Sequence, residues 1–262
     1  MTTGLMNKPQ TGDQVRTALL LAAGTGSRLQ PLTHAVPKCL TEVNDVPILE
    51  QQVRCLEQWG FQRLVLVLGH LEHCVRDFFQ RRSSSLQIDY ITNPHYRTTN
   101  NIYSLWMARE LICEPFLLLE ADIFFDRPLL RPMLQADSIA VSTMQPWMTG
   151  TTVEVDRHQR VVSMHVGTGS IPGKSTLKTV NIYSLSAKTW REITARLDSY
   201  IIAGKVSDYY EVVFSELIAE GIISLRSVFF DHKRWYEIDT PADLLAAERI
   251  FLPSMQALRS RV

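Results

Sequence analysis

Gly24 and Gly26 close the apolar run Leu19-Leu20-Leu21-Ala22-Ala23, with Thr25 between them, Ser27 and Arg28 behind them and Lys38 further along. This order of residue types suits a buried strand that opens into a loop whose backbone approaches something large, polar and anionic. Glycine permits the close approach and the unusual dihedrals. Successive backbone N–H groups make a concave anion nest, and Arg28 and Lys38 add fixed positive charge. A nucleoside triphosphate meets those requirements, so Leu21, Ala22, Ala23, Gly24, Thr25, Gly26, Ser27, Arg28 and Lys38 are its candidate contacts. A phosphate loop ending in Gly-Lys-Ser/Thr is absent, and Leu29 stands where a dinucleotide fingerprint needs its third glycine. The glycine pair by itself also fits an ordinary turn after a strand. Arg28, Pro31, Thr33, Pro37 and Lys38 shift the balance toward the triphosphate.

Two carboxylates complete the set. Asp122 follows the apolar run Phe116-Leu117-Leu118-Leu119, where a charge is costly unless it is hydrated or meets a cation. Asp239 ends Trp235-Tyr236-Glu237-Ile238, with a helix opening behind it. Two carboxylates at strand ends beside a triphosphate loop are a minimal kit for Mg²⁺, which takes one or two protein oxygens plus substrate phosphates. Asp239-Thr240-Pro241 also has the form of a helix N-cap, which is a purely structural alternative for Asp239.

The elements that must position these residues alternate. Strands are expected over Arg16–Ala23, Leu64–Leu68, Leu86–Ile91 and Phe116–Leu119, and helices over Pro47–Trp59, residues 71–82 and Ile102–Leu111. The continuous apolar runs are of the doubly covered, parallel kind. The second half reads as strands over Ile139–Met144, Thr151–Asp156, Val161–His165 and Leu177–Leu185, then helices near 188–200 and 207–220. A strand over Ile222–Phe230, a short strand at Trp235–Asp239 and a helix from Thr240-Pro241 to about Phe251 complete it. The expected fold is α/β: a Rossmann-like, mostly parallel sheet flanked by helices, with a small antiparallel lobe that receives a second substrate. In such sheets ligands gather beyond the carboxyl ends of the strands, where both the Gly24 loop and Asp122 fall.

The 262 residues carry 27 Lys plus Arg against 27 Asp plus Glu. That balance gives no field favouring nucleic acid or an anionic membrane. Cys39, Cys55, Cys74 and Cys113 show no close pair, which argues against a zinc site or a disulfide framework. No apolar run approaches bilayer length, so membrane insertion is not expected. Residues 1–15 read as a loose tail and 16–262 as one domain, in a cytoplasmic protein. Whether it forms a homodimer is open.

The run Leu21-Ala22-Ala23-Gly24-Thr25-Gly26-Ser27-Arg28-Leu29 with Pro37-Lys38 resembles the signature loop of the nucleotidyltransferases that include the sugar-1-phosphate nucleotidylyltransferases. Asn93-Pro94-His95-Tyr96, Asn100-Asn101-Ile102-Tyr103-Ser104-Leu105, Lys178-Thr179-Val180-Asn181-Ile182-Tyr183 and Trp235 to Asp239 with Asp243-Leu244 are similar to the bacterial CTP:phosphocholine cytidylyltransferases. Closely similar domains act on 2-aminoethylphosphonate. The likeness runs from about residue 17 to 251. It implies that the loop wraps the triphosphate and base, that Lys38 touches phosphate, and that Asp122 and Asp239 hold Mg²⁺. It also implies that Asn100, Asn101 and Ser104 lie near the nucleotide. Glu120-Ala121-Asp122 departs from relatives that place another small or hydroxyl residue between two acids. The loop from Ile123 to Arg127 carries no substrate signature.

The reaction so implied is attack by an oxygen of a small phosphate or phosphonate on the α-phosphorus of CTP, with Lys38, Arg28 and Asp122 as catalytic groups. The attacking oxygen is largely ionised at neutral pH, since the second phosphate pKa is about 6. No general base is needed, and none of the histidines is assigned one. An ammonium or trimethylammonium headgroup wants an aromatic wall with acidic support. The candidates are Trp147, Tyr183, Tyr209, Tyr210 and Trp235, with Asn181, Glu211 and Glu237 nearby; Trp147 lies in a polar loop. Two alternatives stand beside this: a sugar-1-phosphate nucleotidylyltransferase using UTP, dTTP or GTP, and a nucleotide-sensing regulatory subunit.

Overall fold

The computed structural model describes residues 14–145, 148–167 and 177–252. The first half runs β1 (Thr17–Ala22), a hairpin of β2 (Glu42–Val43) and β3 (Val46–Pro47), α1 (Ile48–Gln58), β4 (Arg63–Leu68), α2 (Glu72–Arg81), β5 (Gln87–Thr92), α3 (Asn101–Met107), β6 (Phe116–Glu120) and β7 (Ile123–Phe125). The second half holds β8 (Ser138–Thr143), β9 (Thr152–Val155), β10 (Val161–His165), β11 (Leu177–Leu185), α4 (Ala187–Ile202), α5 (Tyr210–Ala219), β12 (Arg226–Phe229), β13 (Trp235–Glu237) and α6 (Pro241–Ile250).

β1 lies between β4 and β6, parallel to both, with Leu20 opposite Leu66 on one side and Leu119 on the other. β5 adds in parallel to β4. Beyond β6 the same sheet continues with β11 antiparallel, and β11 is flanked in turn by β8 and β9. Each central strand alternates between two apolar layers. Leu19, Leu21, Val65, Val67 and Leu118 face α3, α4 and α5, whereas Leu20, Leu64, Leu66, Leu117 and Leu119 face α1 and α2. Burial on both faces explains why these strands read as unbroken apolar runs. Among the described residues no helix is long and apolar enough to cross a membrane.

Ile123–Phe125, expected to be loop, is the strand β7, which pairs antiparallel with β13: Phe125 stands opposite Trp235 and Ile123 opposite Glu237. Three apolar residues are too few to show a period, and their partner is remote in the chain. A second departure lies in β11, where the register against β8 shifts between Thr179 and Tyr183. Asn181 there has φ 56°, the left-handed conformation that asparagine tolerates better than most residues.

Candidate active site

The loop after β1 is held by contacts that leave no room for a side chain at residue 26. Gly26 has φ 60°, and a Cβ there would lie 3.1 Å from Thr33 Cγ2 and 3.2 Å from Lys38 Cβ. Thr33, almost fully buried, donates its hydroxyl to Gly26 O at 2.8 Å. Gly24, by contrast, faces open space. The loop, Lys38, the N-terminus of α3 and the ends of β1 and β6 enclose a cleft of about 300 Å³.

Three remote segments meet at its floor. Lys38 Nζ donates to Asp122 Oδ2 at 2.7 Å and to Asp239 Oδ1 at 2.6 Å. Arg28, exposed, adds a bond to the same Asp239 oxygen at 2.8 Å. The β7–β13 ribbon brings the two aspartates together, and Ile238 N donates to Asp122 O at 2.9 Å to close it. Burial alone would lower the Lys38 ammonium, but the paired carboxylates outweigh it and hold the pKa above its ordinary value. Asp239 is not the helix cap. Thr240 caps α6 in a reciprocal box with Asp243, which leaves the Asp239 carboxylate to the cleft.

Mg²⁺ fits this donor set. Both groups are hard carboxylates, and Asp122 Oδ1 is buried without a hydrogen-bond partner. No cluster of three or more metal-binding side chains exists among the described residues. Phosphate oxygens and water would therefore complete the shell, as is usual for this ion.

The motif at α3 explains itself in space. Asn100 caps the helix, its side chain accepting from Asn101 N at 2.8 Å. Asn101 joins two walls, donating to Glu120 Oε1 at 3.3 Å and accepting from Tyr210 N at 3.0 Å. Tyr210 Oη donates to the same Glu120 oxygen at 2.9 Å. Behind them lie Glu211, fully buried with Oε2 unpartnered, and Glu237. Burial raises the Glu211 carboxyl to about 7, and burial with the neighbouring Asp122, Glu211 and Glu237 charges raises Glu120 well above the ordinary carboxylate range. A second cavity of about 680 Å³, lined in part by Lys178, Trp235, Glu237 and Asp239, adjoins the cleft through Asp239.

Residues 17–160 match the nucleotidyl transferase family. The chain belongs to that family. It is 34% identical over 253 residues to the CMP-5'-(3-aminopropyl)phosphonate synthase of Streptomyces rubellomurinus, covering 92% of this chain and only 40% of that protein. It is 27% identical over 239 residues to the 2-aminoethylphosphonate cytidylyltransferase of Lancefieldella rimae, covering 87% of this chain and 90% of the relative. In fold it is similar to the CTP:phosphocholine cytidylyltransferase of Streptococcus pneumoniae, with a TM-score of 0.79 at 22% identity over 90% of this chain and 99% of the other.

In this nucleotidyl transferase the cleft gathers most of the residues expected to hold nucleotide, Leu21 to Gly24, Gly26 to Arg28, Lys38, Asn100, Asn101 and Ser104, and both expected metal ligands, Asp122 and Asp239, whereas Thr25 does not line it. Of the acceptor candidates, Trp235 reaches the second cavity. Tyr183, Tyr210, Glu211 and Asn181 are buried behind the walls, and Trp147 lies outside the described residues. Tyr209 is half exposed and lines the nucleotide cleft instead. Glu120 and Lys178 were not expected at the site. A charged residue within an otherwise apolar strand was the available signal for Lys178.

Proposed function

We propose that the chain transfers CMP from CTP to a small phosphate or phosphonate that also carries an ammonium group, releasing pyrophosphate with Mg²⁺ as cofactor. The observation that carries this reading is the Asp122–Lys38–Asp239 arrangement at the junction of two cavities. A reaction joining two anions needs concentrated charge at the place where they meet. The names of the relatives support CTP and an aminoalkylphosphonate or phosphocholine acceptor. Glu237 and Trp235, which line the second cavity together, support a cationic headgroup.

In the reaction an acceptor oxygen forms a bond to the α-phosphorus while the bond to the α–β bridging oxygen breaks, and that electron pair leaves with pyrophosphate. Asp122 and Asp239 would hold Mg²⁺, which supplies charge neutralisation and in-line orientation to phosphate oxygens when bound. Lys38 and Arg28 turn their N–H groups from the aspartates toward phosphate oxygens and neutralise charge on the leaving side. The backbone of the Gly24–Ser27 loop orients the triphosphate. No proton need be removed from the nucleophile. The free thiols of Cys39, Cys55, Cys74 and Cys113 suit a cytoplasmic enzyme.

The test is pyrophosphate release with CTP, UTP, dTTP and GTP, each against phosphocholine, 2-aminoethylphosphonate and hexose 1-phosphates, with and without Mg²⁺. Turnover is expected with CTP and an amino-bearing acceptor. Preference for a hexose 1-phosphate, or nucleotide binding without turnover on any acceptor, overturns the reading.

A further inference from the structure

Resting on the reading that the second cavity receives the acceptor, we propose that Lys178 holds an oxygen of the acceptor's phosphate or phosphonate. Lys178 is only 2% exposed, yet it lines that cavity. It sits on β11, opposite Ser142 of β8 and Thr152 of β9, so its stem is fixed by strands on both sides. Burying an ammonium costs several kcal/mol, on the order of what a close ion pair returns.

The pair it makes is loose. Lys178 Nζ donates to Thr179 O at 2.6 Å but stands 3.3 Å from Glu237 Oε2. Lys38 meets its aspartates at 2.7 and 2.6 Å. Charge-assisted contacts close to about 2.7–2.9 Å when nothing opposes them. Glu237 is itself held only at 3.5 Å by Asn181 Nδ2. Of the three donors on the ammonium, these two acceptors account for two among the described residues.

The surroundings keep space at its tip. Gly150, at φ 103°, passes over it, and a Cβ there would come within 3.3 Å of Cε and 3.4 Å of Nζ. Opposite the stem, Thr152 Oγ1 is buried with no hydrogen-bond partner. A buried hydroxyl without a partner, and a buried ammonium that these acceptors use for two of its three donors, leave room for an anionic oxygen. Glu237 links this cation to the transfer centre, since its carboxyl feels Lys178 on one side and Asp122, Asp239 and Lys38 on the other. An anion drawn to Lys178 thus lies along the wall leading to Asp239. Lys233 also lines the cavity, but its Nζ stacks on the Phe230 ring at 4.9 Å.

The experiment is calorimetric titration of the full-length protein with methylphosphonate, which has the anionic end and no amine, beside a separate CTP titration. Lys178→Met is expected to weaken methylphosphonate by about tenfold or more while leaving CTP affinity unchanged. Glu237→Gln, which frees the ammonium, is expected to tighten it, and Lys233→Met to leave it alone. A Lys178→Met protein that binds CTP and keeps its methylphosphonate affinity overturns the assignment, as does a loss carried by Lys233→Met. Should Lys178→Met not fold, unchanged or weaker binding by Glu237→Gln overturns it. A wild-type protein that binds CTP, binds 2-aminoethylphosphonate elsewhere and turns it over would sink Lys178 alone. One that binds no phosphate or phosphonate at all sinks the acceptor reading with it.

Discussion

The two cavities that meet at Asp239 are built on opposite principles. The cleft beside the Gly24–Ser27 loop is walled by backbone and by tight ion pairs between remote segments, all within hydrogen-bond distance. The second cavity is lined by Trp235, by the half-buried Glu237 and by the buried, loosely paired Lys178. The first wall has its charges already satisfied by one another. The second keeps charge that the protein does not fully satisfy, at a cost in stability. Preorganised pairs favour a ligand of fixed geometry, and uncompensated buried charge favours one that completes the balance.

Asp122→Asn should break the cleft most severely. It keeps the shape but removes the anionic oxygen whose neighbour, Oδ1, is buried without a partner. Pyrophosphate release is expected to fall by about 10³-fold or more. Retained turnover would remove Asp122 from the chemistry and with it the distinction between the two walls.

Lys38→Met comes next, because it acts on stability and activity together. The ammonium bridges two carboxylates that would otherwise face each other. Truncating one partner of a largely buried charge pair costs about 2–4 kcal/mol, so the urea midpoint should fall. Pyrophosphate release should drop by about 10²-fold. A variant as stable as wild type would mean that solvent already satisfies both aspartates.

The contrast between the walls also decides what was legible. The strand–loop–lysine segment is contiguous, so residue types and order alone point to its chemistry, and β1, β4 and β6 declare themselves by unbroken apolar runs. The meeting of Asp122 with Asp239 was foreshadowed by their shared position after strands and by the family resemblance. Its cause, the β7–β13 ribbon, was hidden, because β7 is three residues long and its partner lies over a hundred positions away. The acceptor wall was less legible still. Tyr183 and Tyr210 offered themselves as cage residues because an aromatic side chain looks the same in sequence whether it lines a pocket or packs a core. The left-handed Asn181 accompanies a register shift in β11 that no local pattern announces.

Glu211→Gln tests by pH the acid buried behind the walls. Burial lifts the Glu211 carboxyl to about 7 from its ordinary value of 4.5. The folded chain therefore keeps a proton that the unfolded chain loses. Stability is fully present below about 4.5, falls as pH rises through that window and levels off above 7. Glutamine cannot ionise, so the variant should show a flatter dependence of melting temperature across this range and be more stable than wild type at pH 8. An unchanged pH profile of stability would place the carboxylate's charge in water.

The smallest expected effect separates support from chemistry at the shared residue. Thr240 Oγ1 accepts from Asp243 N at 3.2 Å, while Asp243 Oδ2 accepts from Thr240 N at 2.8 Å and from Asp239 N at 3.2 Å. The capping box thus fixes the backbone that aims the Asp239 carboxylate into both cavities. Thr240→Ala removes one half of the box and should cost about 1 kcal/mol in urea denaturation. Because Asp243 still holds the Asp239 amide, pyrophosphate release should fall by no more than about threefold, a loss of the order of RT. A drop comparable to that of Asp122→Asn would show that the orientation of Asp239, more than its charge, is what the junction of the two walls depends on.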